Sequence, residues 1–191
     1  MKIASTAIET RSGRAFDYDN MRLEDIKIED VASSLSKICR YNGHGNAFYS
    51  VAEHCLLLAE YVMNTSGDEV IALHMLLHEL GEPYIGDHVS PVKNLCPAIR
   101  DLEHPILEMA CFKFGLQYPF PPIVKELDIR IQIDEKLKLF PDSRYTWYAE
   151  QLGFEPLGVN IRCIQPGPAL EYEFLDAFES LTGFEVKRNG T

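Results

Sequence analysis

The chain has 191 residues, of which 46% are hydrophobic and 25% are charged, and its net charge is −11. This length suits a single domain with its own core, so we expect one domain over residues 1–191. The acidic balance disfavours a nucleic-acid partner, and the lack of any apolar run of about 18 residues disfavours a membrane partner. The amino-terminal segment lacks the apolar run of a secretory signal, so the predicted location is cytoplasmic.

The hydrophobic spacing predicts an all-α fold after an extended or looped segment of about 20 residues. The predicted helices cover about residues 31–39, 49–64, 69–80, 98–114, 119–140, 145–152 and 168–182, with a loop after residue 81. Residues 153–163 could hold a short strand, and residues 187–191 are expected to be frayed. Five cysteines without a C-x-x-C spacing predict reduced thiols rather than disulfides or a zinc ribbon.

Short polar residues mark the predicted helix starts. Asp30, Ser50 and Asp68 each precede an apolar periodic stretch and are predicted N-caps. Glu53 follows Ser50 by three residues, as in a capping box. Gly81 suits the carboxyl end of the third helix.

Four potential metal ligands come from three predicted helices: His54, His78, Glu79 and Asp128. Imidazole together with carboxylate suits a divalent ion such as Zn, Co, Mn or Mg, and four protein ligands leave room for water and a phosphoryl oxygen. Each residue alone has a simpler explanation, as a hydrogen-bonded core histidine or a solvated carboxylate, so the prediction rests on their combination. His74 and His78, four residues apart, could instead grip a metal on one helix face. A zincin is rejected because position 82 is Glu, not the second His of H-E-x-x-H.

These segments resemble the HD-domain metal-dependent phosphohydrolases, whose members carry a His in one helix, a His-Asp pair in the next and a late helical Asp. Residues 48–54, 77–87 and 91–93 are similar to the YfbR-like 5′-deoxynucleotidase branch, and residues 28–32 and 36–44 are similar to its phage-type, DatZ-like members. Residues 124–128, followed by Glu135, match the late-Asp helix. The likeness spans about residues 14–140. In one departure, the His-Asp pair is His78-Glu79 here, so a longer side chain stands at the second position.

The resemblance implies an HD-type helical bundle and hydrolysis of a phosphate ester or anhydride of a 2′-deoxynucleotide. It implies that His54, His78, Glu79 and Asp128 hold the metal. Glu82 would orient or deprotonate the attacking water, and Asp87 would assist as a second carboxylate or proton donor. The implied substrate-binding residues are Arg40, Asn42, Gly43, His44 and Lys93.

The substrate follows from the resemblance alone. The phage-type likeness favours dATP or a related deoxyadenylate, in which case the protein would act in the host cytoplasm. A 5′-deoxynucleotidase that cleaves deoxynucleoside monophosphates is the alternative, and an inactive nucleotide-binding protein is a second alternative. Homo-oligomers are common in this branch, and Tyr172, Phe174 and Phe178 could pack against a partner, although we expect them to close the protein's own core.

Overall fold

Helices make up most of the chain, as the hydrophobic spacing predicts. The computed structural model describes residues 3–188, so residues 189–191 of the predicted frayed end lie outside the described residues. The helices are α1 (Ile28–Leu35), α2 (Val51–Thr65), α3 (Glu69–Leu77), α4 (Glu82–Ile85), α5 (Ser90–Leu95), α6 (Pro97–Phe114), α7 (Pro122–Leu139), α8 (Tyr148–Gln151) and α9 (Pro168–Thr182). Short 3₁₀ turns lie at Leu23–Asp25 and Arg40–Gly43. A small antiparallel hairpin joins β1 (Ala7–Glu9) to β2 (Ala15–Asp17).

The core forms around α2, which packs against α3 and α9. Ser50 caps α2 as predicted, because its side chain accepts a hydrogen bond from the backbone N–H of Glu53. Phe174 and Phe178 of α9 are buried in this core, as expected, whereas Tyr172 is only partly buried and does not belong to it. Among residues 3–188, no helix combines the length and the apolar character needed to cross a bilayer.

The prediction that Asp30 caps the first helix is wrong. Helix α1 begins at Ile28, and Asp30 lies buried within its first turn. The Asp30 carboxylate accepts hydrogen bonds from the Thr10 hydroxyl at 2.9 Å and from the Ser12 backbone N–H at 2.7 Å. Asp30 therefore holds the amino-terminal hairpin against α1, because hydrogen bonds from N–H and O–H groups stabilise a buried carboxylate.

The third helix and the segment after it differ from the prediction. Asp68 caps α3 as predicted, but α3 ends at Leu77, and the expected loop contains α4 and α5. Pro83 cannot continue an earlier helix because it lacks an N–H, whereas it is accepted in the first turn of α4. Gly81 does not end α3; a Cβ there would lie 3.2 Å from Cγ of Glu103, so Gly81 permits close packing against α6.

The segment between α8 and α9 forms no strand within residues 153–163, contrary to that expectation. Its backbone N–H groups bond instead to side chains of two core helices. Asp134 of α7 accepts the N–H groups of residues 157–159 at 2.8–3.1 Å, and Glu53 of α2 accepts those of residues 162–164 at 2.7–2.9 Å. Glu53 is therefore not the predicted capping-box partner, because its carboxylate is committed to this segment. We call residues 157–164 the strap.

The five cysteines are all free thiols, in agreement with the prediction of reduced cysteines.

Candidate metal centre

Three helices bring four potential ligands together at one point. His54 comes from α2, His78 and Glu79 follow the last residue of α3, and Asp128 comes from α7. One ligand atom from each lies within 4.8 Å of the others. Nε2 of His54 is 3.2 Å from Nε2 of His78 and 3.3 Å from Oδ1 of Asp128. We call these residues the four-ligand cluster; it could hold a metal ion.

The far nitrogen of each clustered histidine is already hydrogen-bonded. Nδ1 of His54 lies 2.7 Å from Oε1 of Glu135, and Nδ1 of His78 lies 2.7 Å from the carbonyl oxygen of Met75. Because these oxygens accept hydrogen bonds, each ring can keep a proton on Nδ1 when Nε2 gives up its own proton to bind a metal ion. This arrangement is typical of histidines that bind metals, and the donor set therefore fits a divalent ion.

His74 is not a member of this group. Its Nδ1 donates to the carbonyl oxygen of Val70 at 2.7 Å, and its ring stands edge-on to Phe120. The alternative in which His74 and His78 grip a metal on one helix face therefore receives no support from the geometry.

The carboxylates of the four-ligand cluster are held in the charged form. Burial by itself raises the pKa of Asp128, but hydrogen bonds from His54 and His78 outweigh it and hold that pKa well below its usual range. Burial likewise opposes ionisation of Glu79, yet the charge of His78 outweighs it and the pKa is lowered. Two ionised carboxylates among buried imidazoles concentrate negative charge where a cation could bind.

Arg40 lies beside the cluster and is buried. Its Nη1 is 3.7 Å from Oε1 of Glu79, and its Nε is 3.5 Å from Oε1 of Glu135. Burial alone would raise the pKa of Glu135, but the charges of Arg40 and His54 and a hydrogen bond from the Tyr41 hydroxyl lower it to about 2. A guanidinium held in this way can present its remaining N–H groups to a phosphate.

The turn after Arg40 has an unusual backbone. Tyr41 and Asn42 adopt left-handed conformations with φ of 56° and 52°, and Gly43 follows with φ of 73°. Such a conformation costs a residue with a Cβ about 1–2 kcal/mol. The Tyr41 ring packs against Phe140 and Trp147, and its hydroxyl donates a hydrogen bond to Glu135. These interactions offset the cost of the left-handed conformation. The turn leaves Asn42, Gly43 and His44 exposed rather than within the four-ligand cluster.

Glu82 is the first residue of α4 and Asp87 follows the end of that helix, and the charge of Glu79 in the four-ligand cluster acts on both. Glu82 is buried, and Oε2 of its carboxylate has no hydrogen-bond partner among the described residues. Burial and the charges of Glu79 and Asp87 raise the pKa of Glu82 well above its usual range. Burial is also the main reason that the pKa of Asp87 is raised. Gly86 turns the chain between them with φ of 87° and ψ of 160°, a region essentially restricted to glycine.

Lys93 of α5 is engaged with a neighbour. Its Nζ donates to Oε1 of Glu103 at 2.7 Å, and the pair joins α5 to α6. Its positive charge also acts on Glu82. Lys93 therefore lies near the carboxylate of Glu82. Its bond to Glu103 would compete with any contact that it makes to a phosphate.

Sequence reasoning assigned no role to Glu135 or Tyr41, and it assigned the carboxylate of Glu53 to a capping box rather than to the strap. A signal existed for Glu135, because it follows Asp128 by seven residues and two helical turns return to the same face. No signal in the sequence identified Glu53 as the acceptor for the strap, since its partners are 109–111 residues away.

Comparison with known proteins shows the family to which the chain belongs. No protein-family model matches the chain. The uncharacterized protein YfdR of Escherichia coli strain K12 is 36% identical over 140 residues, which span 73% of this chain and 76% of YfdR. An uncharacterized protein of Rhodobacter capsulatus is 35% identical over 119 residues, which span 60% of this chain and 61% of that protein. At this identity and coverage, the chain belongs to the same family as YfdR.

Proposed function

We propose that this protein is a metal-dependent phosphohydrolase of the HD-domain type that acts on 2′-deoxynucleotides, with dATP as the preferred substrate. The observation that carries the proposal is the convergence of His54, His78, Glu79 and Asp128, with ligand atoms within 4.8 Å of one another. The buried Arg40 supports an anionic substrate. The preference for deoxyadenylate rests on the resemblance of the segments from Phe16 to His44 to phage-type enzymes.

The four-ligand cluster would hold the divalent ion, which when bound lowers the pKa of water and polarises a phosphoryl group. Arg40 would bind the phosphate oxygens, since its guanidinium is fixed between two carboxylates at 3.5 and 3.7 Å. That pairing limits its freedom to move, so the phosphate would meet a preorganised charge.

Proton transfer would fall to the two carboxyl groups near α4. Glu82 has a raised pKa, so its carboxylate is a stronger base than an exposed glutamate and suits removal of a proton from water. Asp87 also has a raised pKa and suits donation of a proton to the leaving oxygen. The charge of Asp87 contributes to the raised pKa of Glu82, so the protonation states of the two carboxyl groups are linked.

The test is product analysis with deoxynucleotide mono-, di- and triphosphates. Protein stripped with EDTA would be reloaded with Mn, Co, Zn or Mg, and orthophosphate, pyrophosphate and triphosphate would be separated. We expect metal-dependent turnover with dATP preferred. Turnover of monophosphates alone would instead indicate a 5′-deoxynucleotidase. No turnover with any metal would refute the enzymatic proposal.

The Glu79→Asp variant tests whether the longer side chain is compatible with activity. We expect both proteins to be active, with Co²⁺ affinities that differ by no more than about tenfold, because aspartate keeps the carboxylate but shortens its reach toward Arg40. Calorimetric Co²⁺ titration and turnover would be compared with those of Glu69→Asp, the same change at an exposed position of α3. Activity that appears only in Glu79→Asp would favour a nucleotide-binding role for the native protein.

A further inference from the structure

A single buried carboxylate, that of Glu135, contacts both His54 of the four-ligand cluster and the guanidinium of Arg40. Its Oε1 lies 2.7 Å from Nδ1 of His54 and 3.5 Å from Nε of Arg40. Its Oε2 accepts a hydrogen bond from the Tyr41 hydroxyl. The Glu135 side chain is 0% exposed, so these contacts are not shared with bulk water.

We infer that Glu135 is a positioning residue that couples the metal-binding half of the site to its anion-binding half by orienting His54 and anchoring Arg40. This inference rests on the proposed function, which assigns metal binding to His54 and phosphate binding to Arg40. Glu135 itself touches neither reacting group.

The contact with His54 decides which ring nitrogen faces the other ligands. With its Nδ1–H donated to Glu135, His54 directs Nε2 toward Asp128 and His78, at 3.3 and 3.2 Å, where that nitrogen can serve as a metal ligand. A charged acceptor also fixes the rotation of the ring. Loss of such an outer partner typically weakens metal binding by about 10–100-fold.

The contact with Arg40 decides where the guanidinium lies. Arg40 is 8% exposed and has two carboxylate neighbours, Glu79 and Glu135. Glu79 is also a candidate metal ligand, so its charge would be divided between Arg40 and a cation. Glu135 has no such second role in the four-ligand cluster. Without the charge of Glu135, Arg40 would pair with Glu79 alone and would compete with the cation for it.

Tyr41 extends the same arrangement to the left-handed turn. Its hydroxyl bonds to Glu135, while its ring packs against Phe140 and Trp147. Since Arg40 and Tyr41 are adjacent, one carboxylate fixes both the start of the turn and the guanidinium that precedes it. Metal affinity and phosphate affinity should consequently change together when Glu135 loses its charge.

The experiment compares Glu135→Gln with Glu126→Gln, a matched change on the same helix at a side chain that is 42% exposed. Co²⁺ binding would be measured by titration calorimetry and by the visible absorption of the bound ion. Inorganic phosphate binding would be measured on the Co²⁺-loaded proteins. We expect Glu135→Gln to weaken Co²⁺ binding by about 10–100-fold and phosphate binding by about tenfold, and Glu126→Gln to match the wild type.

A measurement without metal separates this inference from the proposed function. In ¹⁵N spectra of metal-free wild-type protein at alkaline pH, His54 should carry its proton on Nδ1, and Glu135→Gln should reduce the population of that tautomer. A proton on Nε2 in the wild type would overturn the inference, and this holds even if the variant fails to fold. Unchanged Co²⁺ affinity or tighter phosphate binding in a folded Glu135→Gln protein would overturn it as well. Absence of Co²⁺ binding by the wild type would instead refute the proposed metal site.

Discussion

Replacement of Asp128 by alanine is expected to abolish metal binding and turnover while helix content stays near that of the wild type. Asp128 supplies an ionised carboxylate whose Oδ1 lies 3.3 Å from Nε2 of His54 and 3.8 Å from Nε2 of His78. Loss of a direct ligand should weaken Co²⁺ binding by more than the roughly 100-fold that an outer partner can cost. Calorimetric titration, turnover and circular dichroism of the same preparations would measure the three quantities.

Metal-dependent stabilisation gives an independent readout of the same variant. A ligand present at about 100 times its Kd raises the free energy of unfolding by about 2.7 kcal/mol. Co²⁺ should therefore raise the Tm of the wild type and of Asp101→Ala, which removes an exposed helical carboxylate of α6, but not the Tm of Asp128→Ala. Full activity in Asp128→Ala would remove this residue from the site.

Replacement of Glu53 by alanine is expected to lower the free energy of unfolding by about 3 kcal/mol. The side chain is fully buried and accepts three backbone N–H groups of the strap, at 2.7–2.9 Å. Hydrogen bonds to charged groups are among the stronger ones, and truncation leaves three donors without their acceptor. For a chain of this size the Tm should fall by about 6–12 °C, measured by calorimetry in the absence of metal.

The control for this change is Glu60→Ala on the same helix. Glu60 is half-exposed and lies 3.9 Å from Arg162, so its removal should cost no more than about 0.5 kcal/mol. Equal Tm values for the two variants would show that the strap is not held by Glu53.

The sequence was most informative where a local rule decides the structure. Ser50 and Asp68 cap their helices as predicted because an N-cap needs only the next three residues. Asp30 met the same local criteria, yet its carboxylate bonds to Thr10 and Ser12 instead. Those partners precede it by 20 and 18 residues, and a pattern of neighbouring residues carries no information about such distant donors.

The same distinction between local and distant contacts applies to the candidate site. The four potential ligands could be proposed from residue type and helical placement, and the structure brings them together. The roles of Glu135 and of the buried pair that it forms with Arg40 depend on how α7 meets the turn at Arg40–Gly43. Packing between elements about 95 residues apart fixes that contact, so the sequence alone gave no reason to join these residues.

The strap also determines when the candidate site can finish folding during synthesis of the chain. Each of its anchors stands directly before a residue of the site: Glu53 precedes His54, and Asp134 precedes Glu135. A nascent chain that ends near residue 140 already contains every candidate ligand, but it lacks the backbone donors that tie α2 to the later segment 109–111 residues away. Contacts so distant along the chain form late in folding. The four-ligand cluster should therefore become fully rigid only after residue 164 has left the ribosome.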